Sequence, residues 1–170
     1  MTFPNLPYWK DGDIIHSETL PIMRSICRKF CPLYLGRDVK EKAYCDSFAS
    51  TLYGDFAPWF GPYMFMPDYA EKIDEGIEAA KKYLATIENM LGDKRFLAGN
   101  EVTYCDFLAY WILKIIKLYD LNVIKSSPKL VNYMKTVNSL KNIATVEKQY
   151  AEIPPFLMVC AWQRDHPHKV

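Results

Sequence analysis

The sequence predicts a mostly α protein: a short β-hairpin and one helix, then an all-helical bundle. Three observations carry this. Asp11-Gly12 stands between two short apolar runs near the start, a hairpin signal. From Val39 onward apolar residues recur in steps of three and four, the helical period. Thr103 and Asp106, three apart, stand immediately before a nearly all-apolar run, a capping-box spacing with Asp in place of Glu or Gln. The 170 residues are 50% apolar and 24% charged. Such a chain buries roughly 70% of its unfolded surface and needs no metal or disulfide to hold a core.

Pro4 and Pro7 keep the opening extended, because the residue before each proline is pushed out of the helical region. Tyr8-Trp9-Lys10 and Asp13-Ile14-Ile15 then flank the turn, which is expected as type I′, with positive φ at both central residues. Ser17 is placed to cap the following helix, with Glu18 in its first turn and Pro21 early enough to be tolerated. Ile22, Ile26 and Phe30 give that helix one apolar stripe, and it should stop near Cys31-Pro32. A hairpin and one helix do not make a stable lobe, since an isolated two-stranded sheet is marginal in water. Something must cover this sheet, and the sequence does not contain it.

The rest reads as helix. Val39 to Phe56 is a candidate with Ala43, Phe48 and Leu52 near one face, and Pro58, Gly61, Pro62 and Pro67 should break or kink the stretch beyond it. Asp68 to Leu91 is the clearest helix: Ile73, Ile77, Ala80, Leu84, Ile87 and Leu91 alternate steps of four and three, and Gly92 ends it. Phe107 to about Leu118 is apolar nearly all round, the mark of a helix in the middle of a bundle. Ser127-Pro128 opens another helix, with Leu130, Tyr133, Met134 and Val137 inward, and Ile143 to Tyr150 makes a last short one.

Several classes are disfavoured. Lys plus Arg is 21 and Asp plus Glu is 20, without the basic surplus of a nucleic-acid protein. The cysteines Cys27, Cys31, Cys45, Cys105 and Cys160 are odd in number and irregular in spacing, unlike a disulfide framework, so reduced thiols in a reducing compartment are expected. The opening has no basic and apolar leader pattern, and no apolar run reaches the ~18 residues of a membrane helix. These readings give an intracellular, cytoplasmic protein, or one in an organellar or cytoskeletal assembly. Cys27 and Cys31, four apart, with His16 as a weak third, lack the second pair of a metal site, so no metal is expected. His166 and His168 belong to a polar tail.

Two segments together resemble the glutathione S-transferase family. Phe3-Pro-Asn-Leu-Pro-Tyr, Asp11-Gly12 and Glu18-Thr19-x-x-Ile22-x-Arg24-x-Ile26 are similar to the third strand, fourth strand and third helix of that family's thioredoxin-like domain. Phe96-Leu-Ala-Gly-Asn followed by Thr103-x-x-Asp106-Phe-Leu is similar to the capped central helix of its C-terminal domain. The Phe3-to-Tyr8 opening and the Pro155-to-Trp162 tail are most similar to the mu class. The resemblance implies a partial thioredoxin-like lobe over residues 1–31 and an all-helical domain over 32–170.

It also implies roles. Pro7 resembles the family's cis-proline, and the Leu6 backbone before it the pairing partner for the cysteinyl part of glutathione. Asn5 resembles a side-chain contact to the tripeptide. Glu18-Thr19 resembles the pair that holds the γ-glutamyl carboxylate, which a helix N-terminus favours. Asp55 falls where the mu class places an acid reaching the neighbouring subunit's glutathione. Phe3 falls on the aromatic key of its dimer. The cluster Trp59, Phe60, Tyr63 and Phe65 stays open to two readings, a hydrophobic substrate pocket or core and interface. The family's thiol-activating tyrosine, serine or cysteine belongs to the first strand, while the resemblance here begins near the third. No catalytic residue is therefore expected and no cofactor beyond glutathione as ligand or substrate. The expected function is a non-catalytic structural or interaction subunit, paired with itself, a related subunit or another protein. The alternative is an active mu-like transferase conjugating glutathione to hydrophobic electrophiles.

Overall fold

The computed structural model describes residues 4–65 and 69–149. Strand β1 (Tyr8–Asp11) pairs antiparallel with β2 (Ile14–Ser17), Tyr8 opposite Ser17 and Asp11 opposite Ile14. The turn is therefore centred on Gly12-Asp13, one residue beyond the expected Asp11-Gly12. Only Gly12 of the two has positive φ, at 58°, which is the II′ pattern rather than I′.

Helix α1 covers Thr19–Phe30. Ser17 ends β2 instead of capping it; Glu18 holds the cap position at φ 80°, ψ 128°, and no side chain caps the helix. The expected stripe also faces the other way. Cys27 is buried, and Leu20 and Met23 pack against the same core, whereas Ile26 is 37% and Phe30 61% exposed. Both stripes exist on α1, and the bundle takes the one at 20, 23 and 27, the side from which Arg24 reaches Tyr104 and Asp46.

A 3-10 turn (Pro32–Leu35) leads into α2 (Val39–Phe65). Gly36 between them has φ 110°, and a Cβ there would lie 2.6 Å from the Lys42 backbone nitrogen, so this close approach requires glycine. Asp38 accepts the Glu41 N–H at 2.8 Å and starts α2. The helix buries Cys45, Ala49, Leu52 and Phe56. Ala43, expected inside, is exposed. Pro58, Gly61 and Pro62 do not break it: the helical backbone runs on to Phe65, the long buried stripe outweighing the local cost of proline.

Another 3-10 turn (Tyr69–Lys72) precedes α3 (Ile73–Leu91), then follow α4 (Tyr104–Tyr119), α5 (Leu121–Lys125), α6 (Pro128–Asn138) and α7 (Ile143–Gln149). α4 is the axis: Leu108, Ala109, Ile112, Leu113, Ile115 and Ile116 are all buried, and the helix packs against α1, α2, α5 and α6. Trp111, on the helix expected to be apolar nearly all round and central, is 40% exposed. Asp106 fixes the start of α4. Its carboxylate accepts the Thr103 N–H, the Leu97 N–H and the Tyr133 hydroxyl, each at 2.8 Å. Ser127 caps α6 through the Leu130 N–H and donates to Glu88 of α3. No helix among the described residues is long and apolar enough to cross a membrane.

Candidate glutathione-type site

The hairpin brings the N-terminal stretch beside the start of α1, and this places Asn5, Glu18 and Thr19 together. Asn5 Nδ2 donates to Glu18 Oε1 at 3.0 Å, while Asn5 Oδ1 accepts the Leu6 N–H at 2.9 Å. The Leu6–Pro7 peptide bond is cis. Glu18 occupies the left-handed half of backbone space, a conformation that non-glycine residues hold only where surrounding contacts impose it. Here the imposed turn presents the uncapped N-terminus of α1 beside the Glu18 carboxylate. Helix amides attract an anion, and an acid attracts an ammonium. The pair suits the zwitterionic end of an amino acid.

Thr19 Oγ1 donates to the Tyr53 hydroxyl at 2.9 Å, so α2 contributes a phenol that the sequence reading did not single out. The only advance signal was that Tyr53 flanks the buried Leu52 one turn before Phe56. Asp55 is exposed on α2. Burial first, and then the Asp55 charge, push the Tyr83 phenol far above its ordinary range. Asp55 makes no hydrogen bond to Asn5, Glu18 or Thr19 among the described residues. Phe3 lies outside the described residues, as do the side chains of Trp59, Phe60, Tyr63 and Phe65.

A second cluster locks this region to the bundle. Arg24 Nε donates to Asp46 Oδ1 at 2.9 Å and to the Tyr104 hydroxyl at 3.0 Å, and Tyr104 donates to the same Asp46 oxygen at 2.6 Å. Burial opposes the charge on Asp46, but hydrogen bonds from Tyr104 and Arg24 outweigh it and hold the carboxyl below its ordinary range. Burial and the bond to Asp46 raise the Tyr104 phenol, which keeps it a donor. Arg24 stood in the recognised motif, yet its partners are 22 and 80 residues away, beyond any local pattern. Cys27, Cys31, Cys45 and Cys105 are free thiols, and no group of three or more metal-ligating side chains occurs among the described residues.

Comparison with known proteins agrees with this architecture. The family model described as glutathione S-transferase, C-terminal domain, matches residues 55–141, about half the chain. Glutathione S-transferase Mu 1 of Rattus norvegicus is 26% identical over 164 residues, which are 95% of this chain and 74% of that protein. Glutathione S-transferase Mu 3 of Mus musculus is 27% identical over 169 residues, 97% of this chain and 75% of that one. In fold, the chain is similar to a Pi-class glutathione S-transferase of Onchocerca volvulus, with a TM-score of 0.79 at 21% identity over 89% of this chain and 74% of that one. The glutathione S-transferase Blo t 8 superposes with a TM-score of 0.77 at 21% identity, over 89% of this chain and 71% of its own. With a capped central helix carrying the bundle, a hairpin entered through a cis-proline, and a match spanning the helical domain, the chain belongs to the glutathione S-transferase family and resembles members of its mu class.

Proposed function

We propose that this chain acts as an interaction subunit: its hairpin and α1, residues 1–31 by our division, hold a protein partner, and the helical domain from residue 32 is the rigid base. One observation carries the reading. The lobe leaves large apolar side chains open on both faces of its sheet and on α1, with Ile14 61%, Ile15 42%, Ile26 37% and Phe30 61% exposed. Side chains of this size on a two-stranded sheet and its helix are the composition of an interface, not of a solvated surface. The partner is a second copy, a related transferase subunit, or another protein that supplies the cover. Free thiols among the described residues fit a reducing intracellular compartment.

Asn5, Leu6, Pro7, Glu18 and Thr19 form one half of a glutathione cradle, with Asp55 offered to a neighbouring subunit's site. Half a cradle implies weak binding, in the millimolar range. The full chain tests the reading by light scattering. It should associate, with a melting temperature that rises with protein concentration, and the double substitution Ile26→Glu with Phe30→Glu should leave it monomeric with a cooperative melt that no longer depends on concentration. A monomeric wild type with a cooperative melt overturns the proposal.

The second reading, conjugation of glutathione to hydrophobic electrophiles, is favoured by the Tyr53 hydroxyl beside Thr19. A phenol that stabilises a thiolate is what such chemistry needs. Tyr53 stands, however, at the end of the site matched to the γ-glutamyl group rather than beside Leu6. Turnover of an aryl halide by the full chain, lost in Tyr53→Phe, would establish it.

A further inference from the structure

A small cleft lies between the turn that follows α3 and the side of α6, and it shares no residue with the site above. Leu91 and Tyr133, both buried, form its floor, and Asp93, Arg95, Lys129 and Asn132 stand exposed around it. Its volume is about 280 Å³, just below the ~300–1,000 Å³ of most small-molecule sites, so it has room for a small ligand only.

The charges around the cleft are unbalanced. Arg95 forms no ion pair or side-chain hydrogen bond among the described residues. Its guanidinium carbon lies 5.2 Å from the centre of the buried Phe96 ring, a contact that holds the group by its face and leaves its N–H edge to donate. Lys129, in the first turn of α6, meets one acid, Asp93, at 3.9 Å, and the Asp93 side chain is fully exposed, so water screens that pair. Lys94 donates to the Met90 carbonyl at 2.6 Å; it closes the end of α3 and adds its positive field. Asn132, one turn beyond Lys129, offers an amide that makes no side-chain hydrogen bond among the described residues. The Tyr133 hydroxyl is spent on Asp106, and the Glu88 carboxylate near the end of α3 accepts from Ser127. Each wall thus presents a cation, Arg95 from the turn and Lys129 from α6, against the single exposed acid.

We propose that this cleft binds a phosphate monoester, carried by a small metabolite or by a side chain of another protein. Two cations on separate elements select the class. A dianion with three terminal oxygens engages both at once, Arg95 as a fork and Lys129 as a point charge, while Asn132 donates to the third oxygen. A carboxylate has one charge and two oxygens and satisfies one of the two cations. A cationic ligand would meet like charges, and the short floor gives no length for a hydrocarbon chain. Asp93 is the competitor that the ligand displaces from Lys129.

Calorimetric titration of the full chain tests this with two probes, glycerol 3-phosphate and a short neutral peptide bearing one phosphoserine. Saturable one-to-one binding of at least one is expected, with glycerate and the unphosphorylated peptide weaker by at least roughly tenfold. A peptide bound roughly tenfold more tightly than glycerol 3-phosphate, or better, assigns the phosphate to a protein; any smaller ratio assigns it to a free metabolite. Arg95→Gln with Lys129→Gln, both exposed, should weaken the better probe by roughly tenfold at low salt and leave the melting temperature of the unliganded protein unchanged. Asp93→Asn should strengthen it, because the competing acid is gone. No saturable binding of either probe, equal binding of glycerate, or an affinity that neither variant moves overturns the proposal.

Discussion

The helical bundle and the hairpin lobe solve the same problem in opposite ways. In the bundle, α4 is the packed axis: Leu108, Ala109, Ile112, Leu113, Ile115 and Ile116 are buried, and the polar atoms at its start are consumed by Asp106. In the lobe, the single buried residue of α1 is Cys27, the sheet has two strands, and the largest apolar groups face out. The bundle is stable by its own contacts. The lobe is held to it through Leu20, Met23, Cys27 and the Arg24–Asp46–Tyr104 cluster, and keeps its other face for something else. The difference separates the part of the fold that stores stability from the part that is available for recognition.

The largest test of this contrast is Asp106→Ala. It strands the Thr103 and Leu97 amides and the Tyr133 hydroxyl in a buried setting, and each stranded group costs about 1–3 kcal/mol. A loss of at least about 3 kcal/mol in urea unfolding is expected. Asn5→Ala, which cuts an equally well-formed but exposed hydrogen bond in the lobe, should cost less than about 0.5 kcal/mol. Comparable losses would mean that the lobe shares the bundle's stability.

A matched pair of isoleucines sharpens the comparison. Ile112 of α4 is wholly buried and Ile26 of α1 is 37% exposed. Ile112→Ala should destabilise by about 2–5 kcal/mol through lost transfer energy and the cavity left behind. Ile26→Ala should cost under about 1 kcal/mol in the monomeric chain. A loss at Ile26 that grows with protein concentration would show the face covered by a second copy.

Legibility in the sequence obeys the same divide. The bundle was readable because its information is local: the four-and-three spacing of α3, the Thr103–Asp106 box and Ser127-Pro128 each act within one or two turns. The stop near Pro58 failed because a local rule was applied to a helix whose long stripe from Cys45 to Phe56 is buried by distant partners. The stripe on α1 was assigned to the wrong side because periodicity finds two candidate faces, and contacts with distant residues of the bundle choose between them. The Gly12-Asp13 register depends on pairing across the hairpin, where a one-residue shift leaves the composition of the turn region unchanged. Of the candidate site, Asn5, Glu18 and the cis-proline were legible through resemblance. Tyr53 was not, since its role arises from a contact 34 residues away.

The smallest effect probes the joint between the two regions. Asp46 joins α2 to Arg24 of α1, and its side chain is 56% exposed, so the ion pair should contribute only about 0.5–1 kcal/mol at neutral pH. Its carboxyl titrates below the ordinary range in the folded chain. The contribution is therefore fully present above the unfolded value of about 3.9 and is lost as pH falls through the lower folded value. Asp46→Asn should unfold at lower urea than wild type near neutral pH, and the gap should close as the pH falls from above the unfolded value through the lowered folded one. Tyr104 can still donate to the introduced amide oxygen, so the phenol's hydrogen bond cancels in the comparison and the part of the gap that closes measures the charge. A gap constant across the whole range would mean that the lobe is joined to the bundle by Leu20, Met23 and Cys27 alone, with Arg24 serving only to choose which face of α1 turns inward.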